Sequence, residues 1–227
     1  MLLHLKQVLT ADELREARAT LAAADWVDGA ATAGAQAVQA KHNEQLPQGS
    51  AAAQGLQALV LRALHRNALF FSAALPKKIF NPLFNRYGAS GQHYGRHVDG
   101  AVMHSRATGE RVRSDLSCTL FLAEPGEYEG GELVVEHSFG QQRIKLPAGD
   151  MLLYPGSSVH EVSPVTAGTR LASFFWVESM VRSESQRSLL YQMDMSLMQL
   201  RAEHGESDAT LQLTGTYHNL LRMWADT

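Results

Sequence analysis

The spacing of apolar residues changes rhythm twice along the chain. Leu14, Ala17 and Leu21 recur at helical spacing behind Thr10 and Glu13, a capping-box pair, and predict a helix running to about Ala24. Leu56, Leu59, Val60, Ala63 and Leu64 repeat the pattern over residues 50–69, a helix suited to brace one face of a sheet, and Pro76 ends it. From residue 77 the period shortens. Residues 77–87 (interrupted by Pro82), 116–122, 133–135, 142–146, 151–154 and 170–176 read as strands parted by turns, with no helical stretch between them. That succession predicts a sandwich or barrel. In the last strand Arg170, Ala172, Phe174 and Trp176 share a face. After Val181 helical spacing returns. Ser183 with Gln186 reads as a capping box, and Leu189, Leu190, Met193, Leu197, Met198 and Leu200 follow. A gap at residues 205–208 precedes a second helix over 209–224, weakened by Gly215. The fold class is α+β with a mainly β core, helices before it and a helical appendage after it.

Shorter stretches add detail. Residues 2–9 suggest a first strand, 26–34 a turn, and 36–46 is polar and ambiguous. Residues 124–132 form an acidic turn closing on Gly130-Gly131, a hairpin signal. Its four glutamates read as a solvated edge or as a lure for a cationic substrate. Residues 100–115 carry His104, Arg106, Arg111 and Arg113 between Gly100 and Gly109, and read either as a solvated loop or as a mobile lid.

Composition narrows the class. A hydrophobic fraction of 45% over 227 residues can fill a core. A net charge of −3 gives no reason to expect nucleic acid, which would favour a basic patch. The one cysteine, Cys118, permits no intrachain disulfide and falls on a strand face with Leu116, Leu120 and Leu122, as an inert core thiol would. No basic leader with a sustained apolar run opens the chain, and no apolar stretch approaches a membrane span, so a cytoplasmic location is expected.

The candidate chemistry sits in two places. The stretch from Tyr87 to Asp99 ends Tyr94-Gly95-Arg96-His97-Val98-Asp99, and the second is Val159-His160-Glu161-Val162 followed by Gly168-Thr169-Arg170. Residues i and i+2 of a strand point to one face, so His97 and Asp99 would aim an imidazole and a carboxylate at one point. His160, from a distant strand, completes a set of two histidines and one carboxylate, the facial arrangement of non-heme Fe(II) oxygenases. Arg170 offers a planar fork for a carboxylate beside it. His137 lacks a carboxylate two residues away, and His65 reads as an ordinary helix histidine.

These pieces, with Phe84-Asn85-Arg86-Tyr87, Gly130-Gly131-Glu132-Leu133 and Ala148-Gly149-Asp150, resemble the 2-oxoglutarate- and iron-dependent dioxygenases of the prolyl/lysyl-hydroxylase type, and more closely the bacterial PKHD-type hydroxylases, some described as iron-uptake factors. The resemblance is strong over residues 76–176. It implies a double-stranded β-helix (jelly roll), with a dioxygenase domain over 1–180, its catalytic core over 76–180, and a helical extension over 181–227. It implies one Fe(II) per subunit on His97, Asp99 and His160, with 2-oxoglutarate chelated there and clamped by Arg170. L-ascorbate is a candidate reductant. The reaction is hydroxylation with release of succinate and CO2; Asp99 weighs against halogenation. Phe121 stands where some relatives carry a co-substrate-binding tyrosine, so Tyr87 becomes the candidate donor to 2-oxoglutarate. Tyr94, Arg96 and Asn43 are substrate-side candidates. The substrate is a small molecule or peptide, prolyl/lysyl-like or siderophore-related, with O2 as the other partner. The terminal helices suit a packing lid or a homodimer contact. A non-catalytic barrel sensing iron or 2-oxoglutarate is the alternative. A purely structural protein is a third class, which the three ligands and Arg170 together disfavour.

Overall fold

The computed structural model describes residues 1–29, 41–105, 109–137 and 140–227. Arg106, Phe139 and parts of the segments 26–34 and 36–46 lie outside them. Helices α1 (Ala11–Ala22), α2 (Ala51–His65) and α3 (Ala68–Ala74) precede the main strands. Thr10 and Glu13 form the expected reciprocal cap of α1. The single helix expected over 50–69 is two. Asn67 interrupts it, its side chain accepting from Phe70 N at 2.9 Å to start α3, because a short amide side chain competes with the helix ladder and favours a cap. Leu75 then turns left-handed just before Pro76, where a helical conformation is disfavoured.

The larger sheet runs β1 (Leu3–Leu5), β14 (Met151–Pro155), β10 (Leu116–Phe121), β16 (Val165–Ser179), β6 (Leu83–Gly88), β4 (Glu44–Gln45) and β2 (Val27–Asp28). Strands β5 (Pro76–Ile79) and β11 (Tyr128–Gly130) pair with other parts of the long β16. The smaller sheet runs β13 (Gly140–Ile144), β12 (Leu133–His137), β15 (His160–Val162), β7 (His93–His97) and β3 (Lys41–His42). The pairings in both sheets are antiparallel. Between the sheets lie Phe121, Tyr128, Leu133, Val135, Leu152, Tyr154 and Val162, a sandwich interior with an unusual share of tyrosine. The other face of the larger sheet, with Leu116, Cys118, Leu120 and Phe175, is covered by α1, α2 and α3. Each fully buried leucine there contributes on the order of 2 kcal/mol. Cys118 is buried in that layer and burial pushes its thiol well up, so it is the inert core residue expected.

The terminal helices α4 (Glu184–His204) and α5 (Asp208–Trp224) pack on each other through Leu190, Leu197 and Tyr217 and on Leu75 and Val181. Arg187, buried on α4, donates to the carbonyls of Val181 and Arg182, tying the helix to its own entry turn.

Two expectations change. The described residues of the segment 100–115 are not an open loop: β8 (Val102–His104) and β9 (Arg111–Arg113) pair antiparallel, and Met103 and Val112 pack on Phe80 and Trp176. Gly130-Gly131 does not close a hairpin either. β11 pairs with β16, while β12 pairs with β13 and β15. The glycines serve close approach instead. A Cβ on Gly130 would stand 2.0 Å from Pro164 O, and both residues have positive φ. The acidic turn is internally used: Glu124 and Glu127 cap one short turn, Glu127 meets Arg18 at 2.6 Å, and Glu132 bonds Ser163.

Candidate active site

His97 ends β7 and His160 opens β15, and the two are direct partners across the smaller sheet. The register then shifts: Val162 faces Tyr94, so two residues of β15 span three of β7. This bulge at Gly95-Arg96 puts Tyr94 and His97 on one inner face and turns Arg96 outward, where it pairs with Glu136 at 2.7 Å. Strand alternation alone would have separated Tyr94 from His97. The Tyr94 ring instead stacks on the His97 ring, centroids 3.6 Å apart. Asp99 lies beyond the strand end, in the turn leading to β8, so the expected same-strand pairing with His97 holds as proximity but not as one regular strand.

The three side chains converge. One donor atom from each of His97, Asp99 and His160 lies within 4.8 Å of the others, and His160 Nε2 is 3.8 Å from Asp99 Oδ2. Each imidazole is oriented from behind. His97 Nδ1 meets Gly95 O at 2.7 Å and His160 Nδ1 meets Ser158 O at 3.0 Å. A carbonyl can only accept, so each Nδ1 carries the proton and each Nε2 lone pair is left facing the site. Burial, and then His160 beside it, push the His97 pKa down to about 4, which keeps the ring neutral. Two imidazoles, each turned with Nε2 toward the site, and a carboxylate are the donor set that suits a divalent iron.

Deeper in the sandwich Arg170 is 1% exposed. Its guanidinium lies 5.4 Å from the centroids of both Tyr87 and Phe121. Its Nε has no hydrogen-bond partner, and no carboxylate among the described residues pairs with it. A buried, uncompensated charge costs several kcal/mol unless a ligand supplies the counter-charge. The Tyr128 hydroxyl and the Asn43 amide are also buried nearby without a well-formed bond. Burial raises the Tyr87 phenol above its ordinary value, with Arg170 and Asn43 pulling partly back, so the phenol stays a donor. Orphaned donors around one cation form a cradle for a carboxylate.

Relatives decide the family. Over all 227 residues the chain is 61% identical to a PKHD-type hydroxylase of Variovorax paradoxus, with both chains fully covered. The chain belongs to the PKHD-type hydroxylases. A second member, from Stenotrophomonas maltophilia, is 57% identical over 226 residues, again covering both chains fully. The family description "2OG-Fe(II) oxygenase superfamily" matches residues 82–178, and "PKHD-type hydroxylase C-terminal domain" matches 184–226. Among solved structures, a Trichoplax adhaerens prolyl hydroxylase in complex with a hypoxia inducible factor peptide fragment superposes with a TM-score of 0.57 at 18% identity, covering 83% of this chain and 86% of that one. A Pseudomonas putida prolyl-4-hydroxylase gives 0.50 at 21%, covering 78% and 92%. These two share the double-stranded β-helix. A PKHD-type hydroxylase is an Fe(II)- and 2-oxoglutarate-dependent dioxygenase, an oxidoreductase. Among the described residues no helix is long and apolar enough to cross a membrane.

Several residues of this PKHD-type hydroxylase's site escape sequence reasoning. Tyr128 sits in the acidic turn, and only its pairing with β16 brings it to Arg170. Ser117 donates to Asp99 Oδ2 at 2.6 Å from β10, where alternation hinted at an inward polar residue and nothing more. Lys41 pairs in register with Tyr94, is largely buried, and holds its ammonium 5.7 Å from that ring. His137 is not among the converging groups, and Arg96 pairs with Glu136.

Lys41 yields a stability prediction. Burial, opposed by Asp28, pushes its pKa down from 10.5 to about 8. The folded chain therefore holds fewer protons than the unfolded chain between those values. Stability rises with pH across that window, and the penalty is complete below pH 8. Lys41→Met is expected to stabilise the protein at pH 7 by about 2 kcal/mol, a Tm rise of roughly 4–8 °C. Thermal melts from pH 7 to 10.5 check this. A gain that does not shrink over that range would exclude a buried-charge origin.

Proposed function

We propose that His97, Asp99 and His160 hold one Fe(II) per subunit, and that Arg170 binds the distal carboxylate of 2-oxoglutarate. The observation that carries this reading is one pairing. Three donor atoms converge within 4.8 Å, and deeper in the same sandwich lies a buried guanidinium without a counter-charge. Iron, when bound, supplies the oxidative chemistry with O2, with 2-oxoglutarate consumed to succinate and CO2 and L-ascorbate as reductant. The chain's own residues position and shield. The carbonyls of Gly95 and Ser158 fix both imidazoles. Tyr94 covers one face of His97 and narrows water access to it. Tyr87 and Tyr128 donate to the carboxylate that Arg170 clamps, and Phe121 closes the cradle on its apolar side. Asn43 backs Tyr87.

The substrate enters over Val98 and Val102, both more than half exposed beside the ligand-bearing turn. It is a peptidyl prolyl- or lysyl-like side chain or a siderophore-related molecule, in a role linked to iron uptake. Residues 1–180 form the dioxygenase domain and 181–227 an extension packed beside it.

Anaerobic protein given Fe(II) and then 2-oxoglutarate is expected to develop a weak visible charge-transfer band. Folded protein without that band would remove the chelation. A succinate-release screen over peptides, free amino acids and siderophores, with Asp99→Ala as the blank, identifies the substrate.

A further inference from the structure

Asp99 is the one candidate ligand that no sheet holds. His97 and His160 face each other across a ladder, but β7 ends at His97 and β8 begins only at Val102. Among the described residues three bonds seat the intervening turn, and all come from two serines. Ser114 N donates to Ala101 O at 3.1 Å, and Ser114 Oγ donates to Gly100 O at 2.6 Å. Ser117 Oγ donates to the carboxylate itself, at Oδ2. Ser117 is 2% exposed on β10, a central strand of the opposite sheet, directly across from Tyr154 and Trp176. Its backbone cannot drift without moving the core. The seat is rigid in turn. Arg113 grips Asp115 with two nitrogens at 2.7 and 2.8 Å, and Ser179 N donates to the same carboxylate at 2.9 Å.

A carboxylate at the end of a free turn samples several rotamers, and only some aim a lone pair at the two imidazoles. The hydroxyl selects among them. We propose that Ser117 is a positioning residue that pre-sets Asp99 for metal binding by bridging the carboxylate on the turn to the opposite sheet. The inference rests on the metal reading above and adds a determinant of affinity outside the ligand set. Loss of a partner that orients a ligand costs about 10- to 100-fold in metal affinity.

The test is anaerobic titration with Fe(II), and with Co(II) as a redox-stable probe, on full-length wild type, Ser117→Ala, Ser117→Thr, Ser117→Cys and Asp99→Ala. Ser117→Ala is expected to bind both metals about 10- to 100-fold more weakly, and its Co(II) visible bands are expected to shift in position or intensity. Ser117→Thr keeps the hydroxyl and is expected to restore affinity to within about threefold and to restore the Co(II) spectrum. Ser117→Cys keeps the volume with a weak donor. It is expected to follow Ser117→Ala, and it decides the question if the alanine variant does not fold. Asp99→Ala calibrates the scale. If it loses binding while Ser117→Ala and Ser117→Cys bind like wild type, the positioning role is overturned and the metal reading stands. If Asp99→Ala itself binds like wild type, the metal reading has failed. Equal losses in Ser117→Thr and Ser117→Ala would mean strand packing rather than the hydroxyl sets affinity, which also overturns the proposal.

Discussion

Arg170→Ala is expected to weaken 2-oxoglutarate binding by roughly 100- to 1,000-fold while leaving Fe(II) affinity within about threefold. The magnitude follows from the environment. The guanidinium is 1% exposed, flanked by two aromatic rings, and has no carboxylate partner among the described residues. A bidentate pair formed there is screened little by water, and truncating one partner of a buried charge pair costs about 2–5 kcal/mol. The candidate metal donors lie at the end of β7, in the turn after it and at the start of β15, and Arg170 is not one of them, which is why iron binding is spared. Titration calorimetry with Mn(II)-loaded protein reads both constants. Arg170→Lys is expected to recover only part of the loss, because an ammonium keeps the charge and loses the fork. Equal weakening of metal and 2-oxoglutarate binding by Arg170→Ala would refute the clamp. Arg170→Met, which keeps most of the side-chain volume, is expected to lose co-substrate binding likewise and to melt at a higher temperature than wild type without ligand, since it removes an uncompensated buried cation without opening a large cavity. A stabilised fold with lost co-substrate binding separates function from stability in one protein.

The sequence disclosed this site unevenly, and the reasons are physical. Period-2 strands, helical spacing and capping residues act over a few neighbours, so α1, α4 and the strand order from residue 116 onward could be read locally. The candidate donors were legible because histidine, aspartate and arginine are chemically conspicuous. What stayed hidden depends on contacts between distant segments. The bulge at Gly95-Arg96 exists only because β7 pairs with β15, and it alone brings Tyr94 onto His97 and sends Arg96 to Glu136. Tyr128 reaches Arg170 because β11 joins β16 rather than folding onto β12, against the usual meaning of a Gly-Gly pair. Ser117 is one of many serines until its strand is set opposite the Asp99 turn. Asn67 split a helix because one capping bond outweighs the propensity of its alanine- and leucine-rich neighbours.

Removing any one of the three candidate ligands is expected to abolish turnover and to lower Fe(II) affinity on the order of 1,000-fold. Three protein donors share a binding free energy of about 10 kcal/mol or more, and losing one forfeits about 3–5 kcal/mol. The variants are expected to differ in how they fold without metal. His160 is packed against Tyr154 at 5.2 Å and His97 lies under Tyr94, so alanine at either position opens a cavity. Asp99→Ala removes a nearly buried carboxylate and, among the described residues, leaves the Ser117 hydroxyl unpaired, a cost of about 1 kcal/mol. Asp99→Ala is therefore expected to melt within a few degrees of wild type, and His97→Ala and His160→Ala lower. A metal that binds only the native state raises wild-type Tm by mass action, about 2.7 kcal/mol at a hundredfold excess over Kd. That rise is expected to vanish in all three variants. Melts with and without Mn(II) then separate a lost ligand from a damaged core. If Asp99→Ala retained the metal-induced rise, the carboxylate would stand outside the coordination sphere, and the ion, if any, would be held by histidines alone.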